Sequence, residues 1–234
     1  MTGTPRERAR EQTLADITRI GRVHLARDGA AALSLRAVAR DLGVVSSAVY
    51  RYVKSRDELL TLLVVEGYTE LGDAVDVAVA SAPAGDPRAR LHALGHAVRD
   101  WALAEPACYG LLFGSPVPGY QAPAERTTGP GTRVIGALVK IFDEAGRSGE
   151  LAVPQTIPMG APLRENLRAI RTEMGLELPE EALARGVLAW SSLFGAVNFE
   201  VFGQYGADTF TDPRALFEHH LSVLDEMVGL APQV

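Results

Sequence analysis

SLRAVARDLGVVSSAVYRYVKSRDELL, residues 34–60, reads as two short helices with a tight turn between them and the start of a third. Ser34 suits the N-cap of the first, where its hydroxyl can accept from an orphan backbone N–H two or three residues on. Val38, Ala39 and Leu42 then recur at helical spacing. Gly43 closes that helix, because glycine takes the left-handed conformation without a Cβ clash. Ser46 is expected to cap the next helix, SSAVYRYV, with Val49 and Val53 on its buried side. Ser55-Arg56-Asp57-Glu58 has the form of a capping box and opens the third helix.

Helix, short glycine turn, helix is the helix-turn-helix arrangement. Its second helix is the element that fits the DNA major groove. Ser46, Ser47 and Ala48 are small and allow close approach at that helix's N-terminus. Tyr50, Arg51, Tyr52 and Lys54 carry donors for phosphates or base edges. The competing reading of the pattern alone is an ordinary helical hairpin inside a core.

The residues go further than the pattern. Leu33-Ser34-Leu35-Arg36-x-Val38-Ala39, Gly43-Val44, Val49-Tyr50-Arg51-Tyr52-Val53 and Ser55-Arg56-Asp57-Glu58-Leu59-Leu60 together resemble the DNA-binding domain of tetracycline-repressor-like (TetR) regulators. Val45 stands where that family usually has Ser or Thr. The resemblance implies that Ser46, Ser47, Arg51 and Arg36 read bases and that Tyr50, Tyr52, Lys54 and Arg56 clamp phosphates. It also implies repression as the default mode. In the body, Glu105-Pro106-x-x-Tyr109-x-Leu111-Leu112-Phe113 and Trp190-Ser191-Ser192-Leu193-Phe194-Gly195 resemble the subclass with a Trp-His-Gly signature. Phe194 replaces the signature histidine.

Composition agrees with a head and a body of different character. The net charge of the 234 residues is −6, the wrong sign for a uniform DNA binder. Residues 1–60 carry eleven Arg/Lys against seven Asp/Glu, and the rest carry twelve against twenty-two. A basic head on an acidic body is what a DNA-binding module joined to a non-DNA-binding one should have. Hydrophobic content of 47% supports a sizeable core. Cys108, the one cysteine, excludes an intrachain disulfide and a cysteine-based zinc site. The polar opening MTGTPRERAREQT is not a signal peptide, and no uncharged apolar run reaches spanning length. A cytoplasmic protein without membrane contact is therefore expected.

Along the chain, residues 1–10 are expected to be a disordered basic arm. Residues 11–54 are the helix-turn-helix domain, and 55–234 the effector-binding and dimerisation domain. The first helix is read over 11–27, with Leu14, Ile17, Gly21, His24 and Leu25 on one face. A lone histidine there is more often packed than a ligand. One long helix is read from Ser55 to about Ala80. Helices follow over 88–104, 105–113, 131–145 and 163–174, with Pro-rich loops at 115–130 and 146–162. Pro179-Glu180-Glu181 opens a long helix to about Tyr205, and Asp212-Pro213 opens the last. No strand alternation stands out, so the fold class is all-α.

The helix after Pro179 is apolar on two sides. Leu183, Val187, Trp190, Phe194, Val197 and Val201 make one seam; Leu188, Ser192, Gly195, Phe199 and Phe202 make a second face. Both must be buried, and only one can face the chain's own core. A homodimer through about 180–204 and 213–230 follows, as a four-helix bundle across a two-fold axis. Such a dimer matches a pseudo-palindromic operator in double-stranded DNA. The body holds more aromatic side chains than a dimer needs. Trp101, Tyr109, Phe113, Trp190, Phe194 and Asn198 are the expected wall of a pocket for a small apolar or aromatic effector. Asn198 needs a polar partner among its apolar neighbours. The long helix from Ser55 is the expected coupler between effector and head, with Gly67 and Gly72 as possible bending points or close contacts.

The competing chemistry is a metal site or hydrolase on His92, His96 and Asp100, which recur at four-residue steps on one helical face. The alternative for these is a polar stripe opposite Leu91, Leu94, Val98 and Trp101. The sequence carries no His-Glu-x-x-His, no Gly-x-Ser-x-Gly and no phosphate-cradling glycine loop. A non-enzymatic regulator needing no cofactor and no metal is expected.

Overall fold

A computed structural model describes residues 4–152 and 157–230. Among them the secondary structure is helical throughout, with one isolated antiparallel bridge between Leu151 and Leu230. The chain forms two compact units, one of residues 1–70 and 104–131 and the other of 71–103 and 132–234. The boundary does not fall at residue 54. It falls inside a helix, between Glu70 and Leu71.

The first unit contains α1 (Pro5–Asp28), α2 (Leu35–Asp41), α3 (Ser46–Tyr50), the first turns of α4 (Arg56–Ser81), α6 (Pro106–Phe113) and α7 (Ala124–Gly131). The expectation of a disordered arm over 1–10 is corrected for residues 5–10, which are helical. Pro5 sits in the first turn, the Thr4 hydroxyl accepts from Glu7 N–H, and the Glu7 carboxylate accepts from Thr4 N–H at 2.6 Å. This capping box satisfies orphan donors that would otherwise fray the helix. Residues 1–3 lie outside the described residues.

Ile17, Leu25, Leu35, Val38, Val49, Val53, Leu59 and Leu60 are buried to 4% exposure or less and form this unit's core. Gly21 allows α1 to approach α4: a Cβ there would stand 3.1 Å from the Leu59 side chain. α6 joins the head because Tyr109 is fully buried and Leu112 packs over Gly67 of α4. Residues 124–130, within the stretch 115–130 expected as loop, are helical. Pro123 O accepts from Arg126 and Thr127 N–H, and Pro130, which has no N–H to give to the carbonyl four residues back, falls in the last turn of this helix.

The second unit contains the end of α4, α5 (Pro87–Ala104), α8 (Arg133–Ser148), α9 (Ala161–Met174), α10 (Glu180–Val201) and α11 (Pro213–Val228). Leu91, Leu94 and Val98 of α5, Leu138 and Ile141 of α8, Val197 of α10 and Leu221 of α11 are essentially inaccessible and define its core. Gly95 marks the tightest helix approach, where a Cβ would lie 2.6 Å from Leu221 Cδ2. Buried Asp143 accepts from Glu177 N–H at 2.7 Å and Leu178 N–H at 3.2 Å, which fixes the entry to α10.

Candidate nucleic-acid interface

α2, its turn and α3 are built largely by local rules. Gly43 has φ +70, Val44 N–H donates to Ala39 O and Gly43 N–H to Arg40 O, both at 3.0 Å. These two bonds are the Schellman pair that closes a helix on a left-handed residue. The expected caps are corrected. Ser34 makes no side-chain cap bond, and the N-cap of α3 is Val45 with Ser46 as the first helical residue. Extended backbone at Val45 starts the helix without a capping oxygen. Ser55 does cap α4, accepting from Glu58 N–H at 3.1 Å. The Glu58 carboxylate reaches past Ser55 to accept from Lys54 N–H at 2.6 Å, so it fastens the link between α3 and α4.

Arg36, Ser47, Tyr50, Arg51 and Lys54 are exposed, and Ser46 and Tyr52 half-buried. Val49 and Val53 are buried beneath them. Helix sterics thus present small residues and donors outward while the valines anchor α3 inward. Arg56 differs: its guanidinium donates to Ala30 O at 3.0 Å and braces the head. His24 is packed, as its place on the apolar face of the first helix predicts. It is 2% exposed, and its Nε2 lies 2.7 Å from Asp41 Oδ2.

The six expected effector contacts fall in both units. Tyr109 and Phe113 pair in the first, with ring centroids 5.1 Å apart, and Tyr68 meets Phe113 edge-on. Trp101, Trp190, Phe194 and Asn198 belong to the second. Trp190 and Phe194 stack at 4.1 Å, so the side chain in the signature-histidine position is an aromatic packing element. Among the described residues Asn198 Oδ1 is buried without a protein hydrogen-bond partner. In the same unit, a cleft of about 580 Å³ lies beside Asp76, Arg90, Arg133 and Lys140, and a groove of about 400 Å³ runs along α10 and α11 past Gly195, Phe199 and Val223. Neither is lined by Trp101, Trp190, Phe194 or Asn198.

The metal reading of His92, His96 and Asp100 gives way to a hydrogen-bonded seam. His92 Nδ1 is 2.8 Å from Glu218 and its Nε2 2.8 Å from Asp225. His96 Nε2 is 2.5 Å from Glu218, while Asp100 faces Arg99 and Arg214. Both histidines therefore tie α5 to α11, and no metal-holding group of three or more His, Cys, Asp or Glu side chains occurs among the described residues. Burial pushes the Cys108 thiol up to about 11, which keeps it protonated and a poor nucleophile at neutral pH. Among the described residues no helix is long and apolar enough to cross a membrane.

A helix-turn-helix head with outward donors, joined to a larger helical body, defines a DNA-binding regulator. Residues 91–224 match the family model described as tetracyclin repressor-like, C-terminal domain. The chain is 45% identical over 219 residues to the HTH-type transcriptional regulator Rv1816 of Mycobacterium tuberculosis, covering 94% of this chain and 93% of that one. The crystal structure of the regulatory protein SCO4313 superposes with a TM-score of 0.77 at 36% identity, over 94% of this chain and 98% of that one. FadR from Bacillus subtilis, solved with stearoyl-CoA, shares the fold at a TM-score of 0.61 and 15% identity, over 90% and 97% of the two chains. The chain belongs to the tetracycline-repressor-like family of transcriptional regulators. Its body matches that family's C-terminal domain without singling out the Trp-His-Gly subclass.

Proposed function

We propose that the chain is a homodimeric repressor that binds a pseudo-palindromic operator and is released by a small apolar or aromatic effector. The observation that carries this reading is the second face of α10. Leu188, Phe199 and Phe202 are between 44% and 51% exposed, as is Val223 of α11. A Cβ on Gly195, midway along that face, would meet nothing within 4 Å, which leaves room for a second backbone to approach. Apolar side chains of this size clustered on adjoining helices favour burial against a second copy. Two heads related by the resulting two-fold axis call for two half-sites.

Within each head, Ser46, Ser47, Arg51 and Arg36 are assigned to base edges, and Tyr50, Tyr52 and Lys54 to phosphates. Arg56 is reassigned to bracing because its donor is already directed to Ala30. Effector contact is assigned to Trp190, Phe194 and Asn198, which follow at four-residue steps on one face of α10, with half-buried Trp101 of α5 beside them in the assignment. FadR and RolR, solved with stearoyl-CoA and resorcinol, are fold relatives bound to small molecules, which supports an effector-binding role for this body.

In vitro selection from a random duplex library tests the DNA half of the proposal. An inverted repeat should be enriched, and sedimentation of the free protein at micromolar concentration should give a dimer. A monomer, or no enriched repeat, would overturn the reading.

A further inference from the structure

We propose that His24 is a positioning residue for operator binding: through Asp41 it fixes the end of α2 from which the reading helix extends. The inference rests on the DNA-binding reading above. His24 is buried on the face of α1 that also carries Ile17, Gly21 and Leu25, where an imidazole needs a polar partner. Asp41 of α2 supplies it at 2.7 Å. Asp41 is the last residue of α2, two before the left-handed Gly43. A carboxylate there faces the negative end of its own helix, so the position costs α2 stability unless a partner compensates. The bond from His24 holds the Asp41 carboxyl below its usual range, against a smaller opposing effect of burial.

The geometry beyond the pair makes this bond matter for α3. A cleft of about 300 Å³ opens between α1 and the reading helix, lined by Thr13, Asp16 and Ile17 on one side and Leu42, Ala48 and Tyr52 on the other. Val49 holds the buried side of α3, and beside that contact the cleft leaves Ala48 and Tyr52 standing off α1. The Schellman bonds stiffen the end of α2 and its turn through Val44, two residues before α3 begins. His24 ties that piece to α1. The other charged groups near the pair are Asp28 and Arg27 of α1 and Arg40 of α2. Arg40 is 74% exposed and 3.4 Å from Asp41, a solvent-side contact that cannot replace a buried one.

The test uses the full chain and the tightest duplex that selection yields for it. Failure of the unaltered protein to enrich any duplex would speak against the DNA-binding reading and not against this pairing. Given a binder, His24→Leu fills the space without the bond and is expected to weaken duplex affinity about fivefold to tenfold. His24→Gln, whose amide can donate to Asp41, should recover affinity to within about twofold of the unaltered protein. Asp41→Ala should lose as much as His24→Leu, and the double variant no more than either, because one interaction is being removed. Folded His24→Leu and Asp41→Ala proteins that bind like the unaltered chain would overturn the proposal. Losses that multiply in the double variant would overturn it as well. If His24→Leu does not fold, half-exposed Asp41 decides alone: a loss in Asp41→Ala that Asp41→Asn restores supports the tie, and unchanged affinity refutes it.

Discussion

The guanidinium of Arg133 lies against the backbone of Gly72, so closely that a Cβ there would stand 2.8 Å from Arg133 Cζ. The same guanidinium donates to Asp73 at 2.7 Å and Asp76 at 2.5 Å, which fastens α8 to α4. Gly72 is therefore accounted for by close approach, as is Gly67, whose Cβ would sit 3.3 Å from Leu112. Neither glycine needs to be a bending point.

Substitution by alanine should separate the glycines by what they touch. In Gly72→Ala only the far end of a flexible, partly exposed arginine must move, and the helix gains about 1 kcal/mol of propensity. Near-neutral stability is expected. Gly95→Ala has no such escape, because Leu221 and Leu193 close on it in the core. It should cost about 1–3 kcal/mol. Urea unfolding of the two variants checks the ordering, and effector release should be unaffected in Gly72→Ala.

Arg99 and Glu200 form a bidentate pair between α5 and α10, with side chains 8% and 13% exposed and Phe217 under the guanidinium. Glu200→Ala leaves a charge buried without its partner and is expected to cost about 3–5 kcal/mol. Asp100→Ala, 55% exposed, should change stability by less than about 1 kcal/mol. Chemical denaturation at low and high salt distinguishes them, since only the exposed contact is screened.

At the interface, Lys54→Ala should weaken binding to every duplex alike and reduce the slope of log affinity against log salt by about 1. Arg51→Ala should instead relax preference at one position of each half-site, by about 1–3 kcal/mol in discrimination. Salt titrations on selected and scrambled duplexes measure both. Equal salt slopes for Lys54→Ala and the unaltered protein would remove Lys54 from the phosphate contacts.

The seam between α5 and α11 gives stability a pH dependence. Hydrogen bonding to Asp225 raises His92 above its ordinary value, burial opposes this, and Glu218 adds to the rise. The folded state therefore holds the proton more tightly than the unfolded one. The stabilisation from His92 is complete below the unfolded pKa near 6.5 and is lost as pH rises through the higher folded pKa. The stability difference between the unaltered protein and His92→Gln should shrink from pH 6 upward. Urea unfolding across that range checks it, and a difference that grows with pH would reverse the sign of the assignment.

Much of the head is legible in the sequence because its signals are short-range. Gly43 at the turn, Ser55 at the start of α4 and the spacing of Val49 and Val53 act through backbone sterics and bonds within a few residues. The second apolar face of α10 is equally local, since a 3.6-residue period puts Leu188, Phe199 and Phe202 together wherever the helix packs. Composition predicts an arm over residues 1–10 and a loop over 115–130, and caps outweigh it at residues 5–10 and 124–130. Thr4 with Glu7 reverses the first, and Pro123 opening a helix reverses the second.

What the sequence by itself determined is therefore most of the helices, the turn between α2 and α3, and the faces they present. Only the tertiary structure decided which side chains answer one another across elements. His24 finds Asp41, His92 finds Glu218 and Asp225, and Arg99 finds Glu200, at separations of 17 to 133 residues. Helical periodicity fixes where a side chain points on its own cylinder. It carries no information on which neighbouring cylinder lies opposite, because that is set by how the whole set of apolar faces packs together.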